Sequence, residues 1–348
     1  MVRPDPNRLT GILYFYIHFV TEAVCFYTLT SYIGSRPEIW VIYLAYDFLA
    51  FVPQSLIGSF SDRHPRLPLG AAGLVLLAAA LIISGISEIP FLSLFILCIG
   101  NCFVHVNGAE ATLRTSEGKL SGSAVFVSGG SFGVVTGRLM KVSHGSMIIL
   151  LLLILTAFPA VLKAQTYIND DKVPYRTQCR DFRYAKKSIP AGIVVAMAVT
   201  VVAVRGFMGY GIPTAWNKTV VQTVLLFAFM GIGKALGGIA ADRFGFKKTA
   251  LFSTVAAVPL LMGGNDHMLI SLTGVMFFSM TMAITLGILV SVMPEAPGLA
   301  FGWTTIGLFM GSAPVFFFRL LTTKANCVMI LLLSLLCLAL MVIMIRKD

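Results

Sequence analysis

The sequence predicts an all-α membrane protein with twelve transmembrane helices in two parallel six-helix halves. Three observations carry this expectation. Of 348 residues, 57% are hydrophobic and only 12% are charged, about half the charged share of a soluble domain. The chain divides into twelve continuous apolar runs, each close to the roughly 20 residues that cross a bilayer as a helix. A Gly, Asp and Arg pattern also repeats, with Asp62 recurring as Asp242.

Mean hydropathy is +0.88. A chain this apolar cannot cover its surface with polar groups, which excludes a cytosolic enzyme, a secreted domain and a disordered protein. The apolar runs do not alternate with period two, so they read as helices rather than barrel strands.

In order, the spans are expected at 10–33, 38–60, 67–86, 89–113, 119–140 and 145–164, then at 189–212, 217–241, 247–264, 267–293, 297–319 and 325–345. The first is too long for a signal peptide, and Glu22 interrupts it. The second ends in Gly58-Ser-Phe-Ser-Asp62-Arg63-His-Pro-Arg66, and the eighth in Gly238-Ile-Ala-Ala-Asp242-Arg243-Phe-Gly-Phe-Lys247-Lys248. The fifth opens on Gly118 and Gly122, the eleventh on Gly298 and Gly302. The seventh span is therefore the repeat of the first. Residues 1–164 form an N-terminal bundle, 165–188 a polar linker and 189–348 a C-terminal bundle. Such duplication marks transporter folds.

Orientation follows from lysine and arginine. With the N-terminus inside, the inner segments hold Arg3, Arg8, Arg63, Arg66, Arg114, Lys119, Lys163, Lys172, Arg176, Arg180, Arg183, Lys186, Lys187, Arg243, Lys247, Lys248, Arg346 and Lys347. The outer loops hold Arg36, Lys141, Lys218 and Lys324. Both termini are expected in the cytoplasm, in a plasma or inner membrane. The net charge of +11 is then topological, with lipid headgroups as its partner and no role for nucleic acid.

The doubled motif, G-x-x-x-D-R followed by basic residues, resembles the signature loop of the major facilitator superfamily. Twelve spans, a central loop and inward termini agree with that resemblance. It implies a secondary transporter with a cavity between two rocking bundles, and a gating role for Gly58, Asp62, Arg63, Arg66, Gly238, Asp242, Arg243 and Lys247. Asp62 and Asp242 lie at helix C-termini, where the dipole disfavours an anion. They need partners, either the nearby bases or the N-terminus of a neighbouring helix. The first copy departs from the pattern with Pro65 and Leu67, which predicts a looser latch in the N-terminal half. The run Ser128–Gly137 is rich in small residues like the antiporter motif of drug exporters but lacks its Gly-Pro pair, and close helix packing is the simpler account. Span four lacks the buried arginine of proton-coupled drug exporters.

Ionisable groups inside spans are costly and mark function by default. His18 and Glu22 share a face of span one. Glu22 lies about 18 Å along it, near the midplane, where it suits proton coupling tuned by His18. Asp47 is at mid-depth in span two, as a proton site or an ion-pair partner. Asn101 and His105 share a face of span four, with Glu110 near its inner end. Arg205 on span seven and Lys234 on span eight are cations of the C-terminal half. They suit an anionic group, or alternatively ion pairs with Glu22 and Asp47. Arg138 and Arg319 end spans five and eleven on the outer side, at the headgroups or an outer vestibule.

Tyr14, Tyr16, Tyr43, Tyr46, Tyr210 and Trp303 are candidates to line a cavity. The six cysteines read as small core residues, with no spacing for metal ligation, and neither a metal nor a cofactor is expected. No phosphate-binding loop occurs, and no motif supports an enzyme. The reading that combines these features is a monomeric, proton-coupled transporter of a small organic anion. The alternative is an exporter of lipophilic or cationic compounds. A non-transporting scaffold is more remote.

Overall fold

The apolar runs become twelve rods in the computed structural model, which describes residues 6–33, 39–86, 90–168, 179–317 and 323–346. In order these are α1 (Pro6–Thr28, with a π-turn at Leu29–Ile33), α2 (Ile39–Phe51 and Gln54–Arg63), α3 (Leu69–Ile86), α4 (Pro90–Arg114), α5 (Ser121–Leu139) and α6 (His144–Ile168). The second half comprises α7 (Ala191–Gly211), α8 (Val220–Phe244), α9 (Phe246–Gly263), α10 (Met268–Met280 and Met282–Val292), α11 (Pro297–Ser312, continued as a 3₁₀ turn) and α12 (Thr323–Met344). Arg3, Arg36, Lys172, Arg176, Arg319 and Lys347 lie outside the described residues.

Among the described residues, ten rods are long and apolar enough to cross a bilayer. The other two are α5, diluted by Ser and Gly, and α9, which opens on Lys247 and Lys248. Leu56, Ile86 and Phe91 are among many large apolar side chains that face outward, as a lipid-facing belt requires. Of the ten, α1, α4 and α10 are the most enclosed, whereas α6 and α12 sit at the edge and α8 faces the cavity between the halves.

Local chemistry explains the breaks. Pro53 has no N–H and cannot donate into α2, so the rod interrupts there and carbonyls before it lose their helical partners. They are answered by side chains. Cys102 on α4 donates to Leu49 O at 3.4 Å, Gln54 Nε2 to Ala50 O at 2.6 Å, and Thr305 on α11 to Phe51 O at 2.9 Å. In α10 the break at Thr281 leaves the Phe278 carbonyl to accept from the Arg205 guanidinium. At the start of α8, Thr219 and Gln222 form a capping box, which satisfies two otherwise open N–H groups.

The halves meet along α2 against α11 and α5 against α8. At Gly58 and Gly298 the two backbones touch, and a Cβ on Gly58 would overlap the Gly298 carbonyl. Within the first half, α5 lies against α1 along the whole Ser128–Gly137 run. That run is a packing seam.

Of the expected linker 165–188, the first residues extend α6, and 179–190 folds across the end of the molecule that carries the repeated motif. Its Tyr184 ring stacks on Phe246 at 3.6 Å and 9°, and its hydroxyl donates to Gly118 O at 2.7 Å. Burial, with the Asp242 carboxylate nearby, raises the Tyr184 pKa above its ordinary value, so the hydroxyl stays a donor. The Tyr184 carbonyl accepts from Arg346 N at 2.7 Å, and Arg180 Nε donates to Glu295 at 2.7 Å.

Candidate functional site

One helical turn of α1 carries His18 and Glu22, and one turn of α4 carries Asn101 and His105. These turns face each other in the N-terminal bundle. His18 Nδ1 donates to the Phe126 carbonyl at 2.9 Å, and His105 Nδ1 donates to the Asn101 carbonyl at 2.9 Å. A carbonyl only accepts, so both tautomers are fixed with the N–H at Nδ1. The two Nε2 atoms then point at each other, 2.9 Å apart. Two bare lone pairs at that distance repel, and a proton on either one turns the contact into a hydrogen bond. Glu22 Oε1 stands 3.4 Å from His105 Nε2 and 3.8 Å from His18 Nε2, and accepts from Asn101 Nδ2 at 3.1 Å. The carboxylate thus lies where it balances one positive charge on the pair. Gly130 on α5 leaves the space that the His18 ring occupies.

Sequence spacing predicts no metal-ligating cluster. His18, Glu22 and His105 form a buried group of three ligand-type side chains. The histidines are 87 positions apart, so no local spacing reveals them.

This cluster walls a cavity of about 240 Å³ between the bundles. From the other bundle comes Lys234, whose Nζ donates to Ser131 Oγ at 2.9 Å. Lys234 also borders a second cavity of about 400 Å³, which Arg205 and Tyr210 line. Arg205 covers the Phe278 ring, 4.2 Å from its centroid. Among the described residues neither Arg205 nor Lys234 forms an ion pair with Glu22 or Asp47. Asp47 lines neither of these cavities and instead faces Ser312 on α11. Arg138, exposed at the end of α5, lies 4.7 Å from the Phe26 ring and 5.7 Å from the Phe227 ring. Both rings line the first cavity. Of the aromatic candidates, Tyr210 reaches a cavity, whereas Tyr14 is buried against Asn107 and Tyr46 against Asn101.

The motif residues close one end. Asp62, at the end of α2, accepts from Gly298 N at 3.0 Å and Leu299 N at 2.9 Å, at the start of α11. Asp242, at the end of α8, accepts from Leu120 N at 2.7 Å and Ser121 N at 2.8 Å, at the start of α5. Each carboxylate caps a helix N-terminus in the opposite half, where the dipole and free N–H groups favour an anion. The partner of each aspartate is therefore the neighbouring helix. Arg63 and Arg243 are exposed, and Arg243 lies over the Phe244 ring.

The N-terminal latch is expected to be the looser one, yet it carries more bonds. Arg114 Nη2 reaches Asp62 at 3.0 Å and Glu110 at 3.1 Å, and Ser61 donates to Glu110. Arg114, counted by sequence as a topological charge, is 3% exposed. It comes from the end of α4, outside the motif, so motif comparison misses it.

No protein-family model and no curated protein sequence matches the chain. Solved structures do. The Escherichia coli fucose:proton symporter is similar over 96% of this chain and 95% of its own, at 14% identity and a TM-score of 0.64. The human organic anion transporter TETRAN is similar over 97% and 99%, at 13% identity and a TM-score of 0.71. A second structure of the fucose symporter, a major facilitator superfamily transporter, in the outward conformation is similar over 97% and 96%, at 15% identity and a TM-score of 0.60. At these identities the likeness is one of architecture: the chain has the fold of the major facilitator superfamily transporters.

Proposed function

We propose that the protein is a secondary active transporter that moves a small organic anion together with protons by alternating access. One observation carries this reading. A single cavity is walled by His18, Glu22 and His105 on one bundle and by Lys234 on the other, with no ion pair across it among the described residues. The acid and imidazoles supply the proton site, and Lys234, with Arg205 in the adjoining cavity, supplies the anion site. The fold of the similar structures supports transport rather than catalysis. In this reading the motif end is cytoplasmic, as are both termini, and the conformation is closed on that side. Rocking then breaks the Asp62 and Asp242 caps and opens the cavity inward.

A thermal-shift screen of the purified protein tests the reading, since a ligand that binds the folded state raises apparent stability. Small organic anions should stabilise the wild type, and Arg205→Ala and Lys234→Ala should abolish the shift. The lining of Phe26, Phe51, Phe227 and Phe301 around Glu22 favours a second reading, export of lipophilic cations. Stabilisation by cations alone, lost in Glu22→Gln, would select that reading and reject the first.

A further inference from the structure

We propose that His18, His105 and Glu22 bind a divalent transition-metal ion of the zinc type at the cavity wall. The argument rests on geometry. Both histidines are held as metal-binding histidines are held elsewhere, with Nδ1–H committed to a backbone carbonyl and the Nε2 lone pair turned inward. The carboxylate that completes the set is itself oriented by the Asn101 amide at 3.1 Å.

The spacing fits a small ion. Zinc–nitrogen and zinc–oxygen bonds of about 2.0–2.2 Å in a tetrahedron place neighbouring ligand atoms roughly 3.3–3.5 Å apart. The three separations are 2.9, 3.4 and 3.8 Å. Adjustments of a few tenths of an ångström bring all three atoms around one centre. Three protein ligands leave a fourth position open, and here the cavity adjoins the cluster. Two imidazoles and one carboxylate suit a borderline ion such as zinc rather than magnesium or calcium, which prefer an all-oxygen shell.

The metal would occupy the space that otherwise holds the shared proton. Binding therefore displaces that proton to solvent, and metal and coupling proton exclude each other. The binding site stands on the geometry alone, and only this consequence for transport rests on the proposed function. Lys234 on the same cavity disfavours a bare dication but favours an anion as the fourth ligand, such as chloride or a carboxylate.

The test uses full-length, tag-free protein in detergent, cleared with chelator and titrated with Co²⁺, then with Zn²⁺ as competitor. The expected result is one Co²⁺ per chain with the intense visible bands of a four-coordinate site, displaced by Zn²⁺ and lost in His18→Gln and in His105→Gln. The triple variant His64→Gln, His144→Gln, His267→Gln removes the remaining histidines and should leave the spectrum unchanged. Absence of the bands in the wild type overturns the inference without reference to any variant's folding. Bands that persist in His105→Gln also overturn it. Proton movement during anion uptake is measured separately in chelator-treated vesicles. Proton-coupled uptake there, with no Co²⁺ spectrum, rejects the metal site and leaves the transport reading standing. A Co²⁺ spectrum with uptake indifferent to pH keeps the metal site and rejects the coupling assignment.

Discussion

His18 and His105 meet Nε2 to Nε2 at 2.9 Å, each with its other ring nitrogen tied to a carbonyl. Neither ring can relieve the contact by switching tautomer without abandoning that carbonyl. Two bare lone pairs at this distance repel, and an occupant between the nitrogens, a proton or a metal ion, would relieve that repulsion.

If that occupant is the coupling proton, His105→Gln separates substrate movement from proton movement. Anion-driven alkalinisation outside proteoliposomes should fall to baseline, because one imidazole beside Glu22 no longer forms a shared-proton pair. Counterflow exchange involves no net proton transfer and should survive. A pH-indicator assay run beside radiolabelled counterflow reads both, and equal loss of the two would sink the assignment.

The two latches should differ in strength. Asp242→Asn weakens one cap across the halves, with an expected cost of about 1 kcal/mol to the closed motif end. Asp62→Asn also removes a carboxylate from buried Arg114, so about 2–3 kcal/mol is expected. Spin-label distances between the motif ends of α2 and α11 should show a larger open fraction in Asp62→Asn. A larger effect in Asp242→Asn would contradict the role given to Arg114.

Cys179 offers a reporter of the same motion. It is 1% exposed, and burial pushes its thiol up to about 12. The thiolate is the reactive form, so the thiol stays protonated and slow to alkylate through neutral and mildly alkaline pH. Maleimide labelling of Cys179 should accelerate in Asp62→Asn and slow when a ligand holds the motif end shut. Mass spectrometry of the labelled peptide distinguishes it from the other five cysteines.

The break in α2 predicts a stability effect at the wall of the first cavity. Thr305→Val keeps the shape of the side chain but leaves the Phe51 carbonyl without its donor at 2.9 Å. A loss of about 1–2 kcal/mol is expected, seen as a lower melting temperature, while Thr305→Ser retains the bond and most of the stability. Equal melting of Val and wild-type proteins would show that the carbonyl finds another donor.

Much of this architecture was legible in the chain because bilayer length and apolarity are local properties. All twelve runs became rods, and the ends differ by a few residues. The helical face shared by His18 and Glu22 was equally visible, as was that of Asn101 and His105. What joined those two faces was not visible, since it depends on how α1 and α4 dock. Arg114 looked like one more cytoplasmic charge because, although Glu110 stands one helical turn before it, nothing local announces Asp62, 52 positions away, or the burial of all three side chains. Asp47 looked equal to Glu22 by depth, but depth along a rod does not say which way the rod is turned. Pro53 was in plain view, yet the donors that rescue its break come from α2, α4 and α11.

Tyr184 belongs by sequence to the segment between the halves but by contact mostly to the second half. Its ring rests on Phe246, its N–H on Ser291 and its carbonyl on Arg346, and the hydroxyl reaches Gly118 across the divide. A chain severed anywhere between Ile168 and Cys179 would leave this tyrosine with the fragment that carries nearly all of its partners. Two separately translated polypeptides would thus retain the tyrosine's clasp and both aspartate caps, and the covalent tether would be dispensable for shutting the protein at this end.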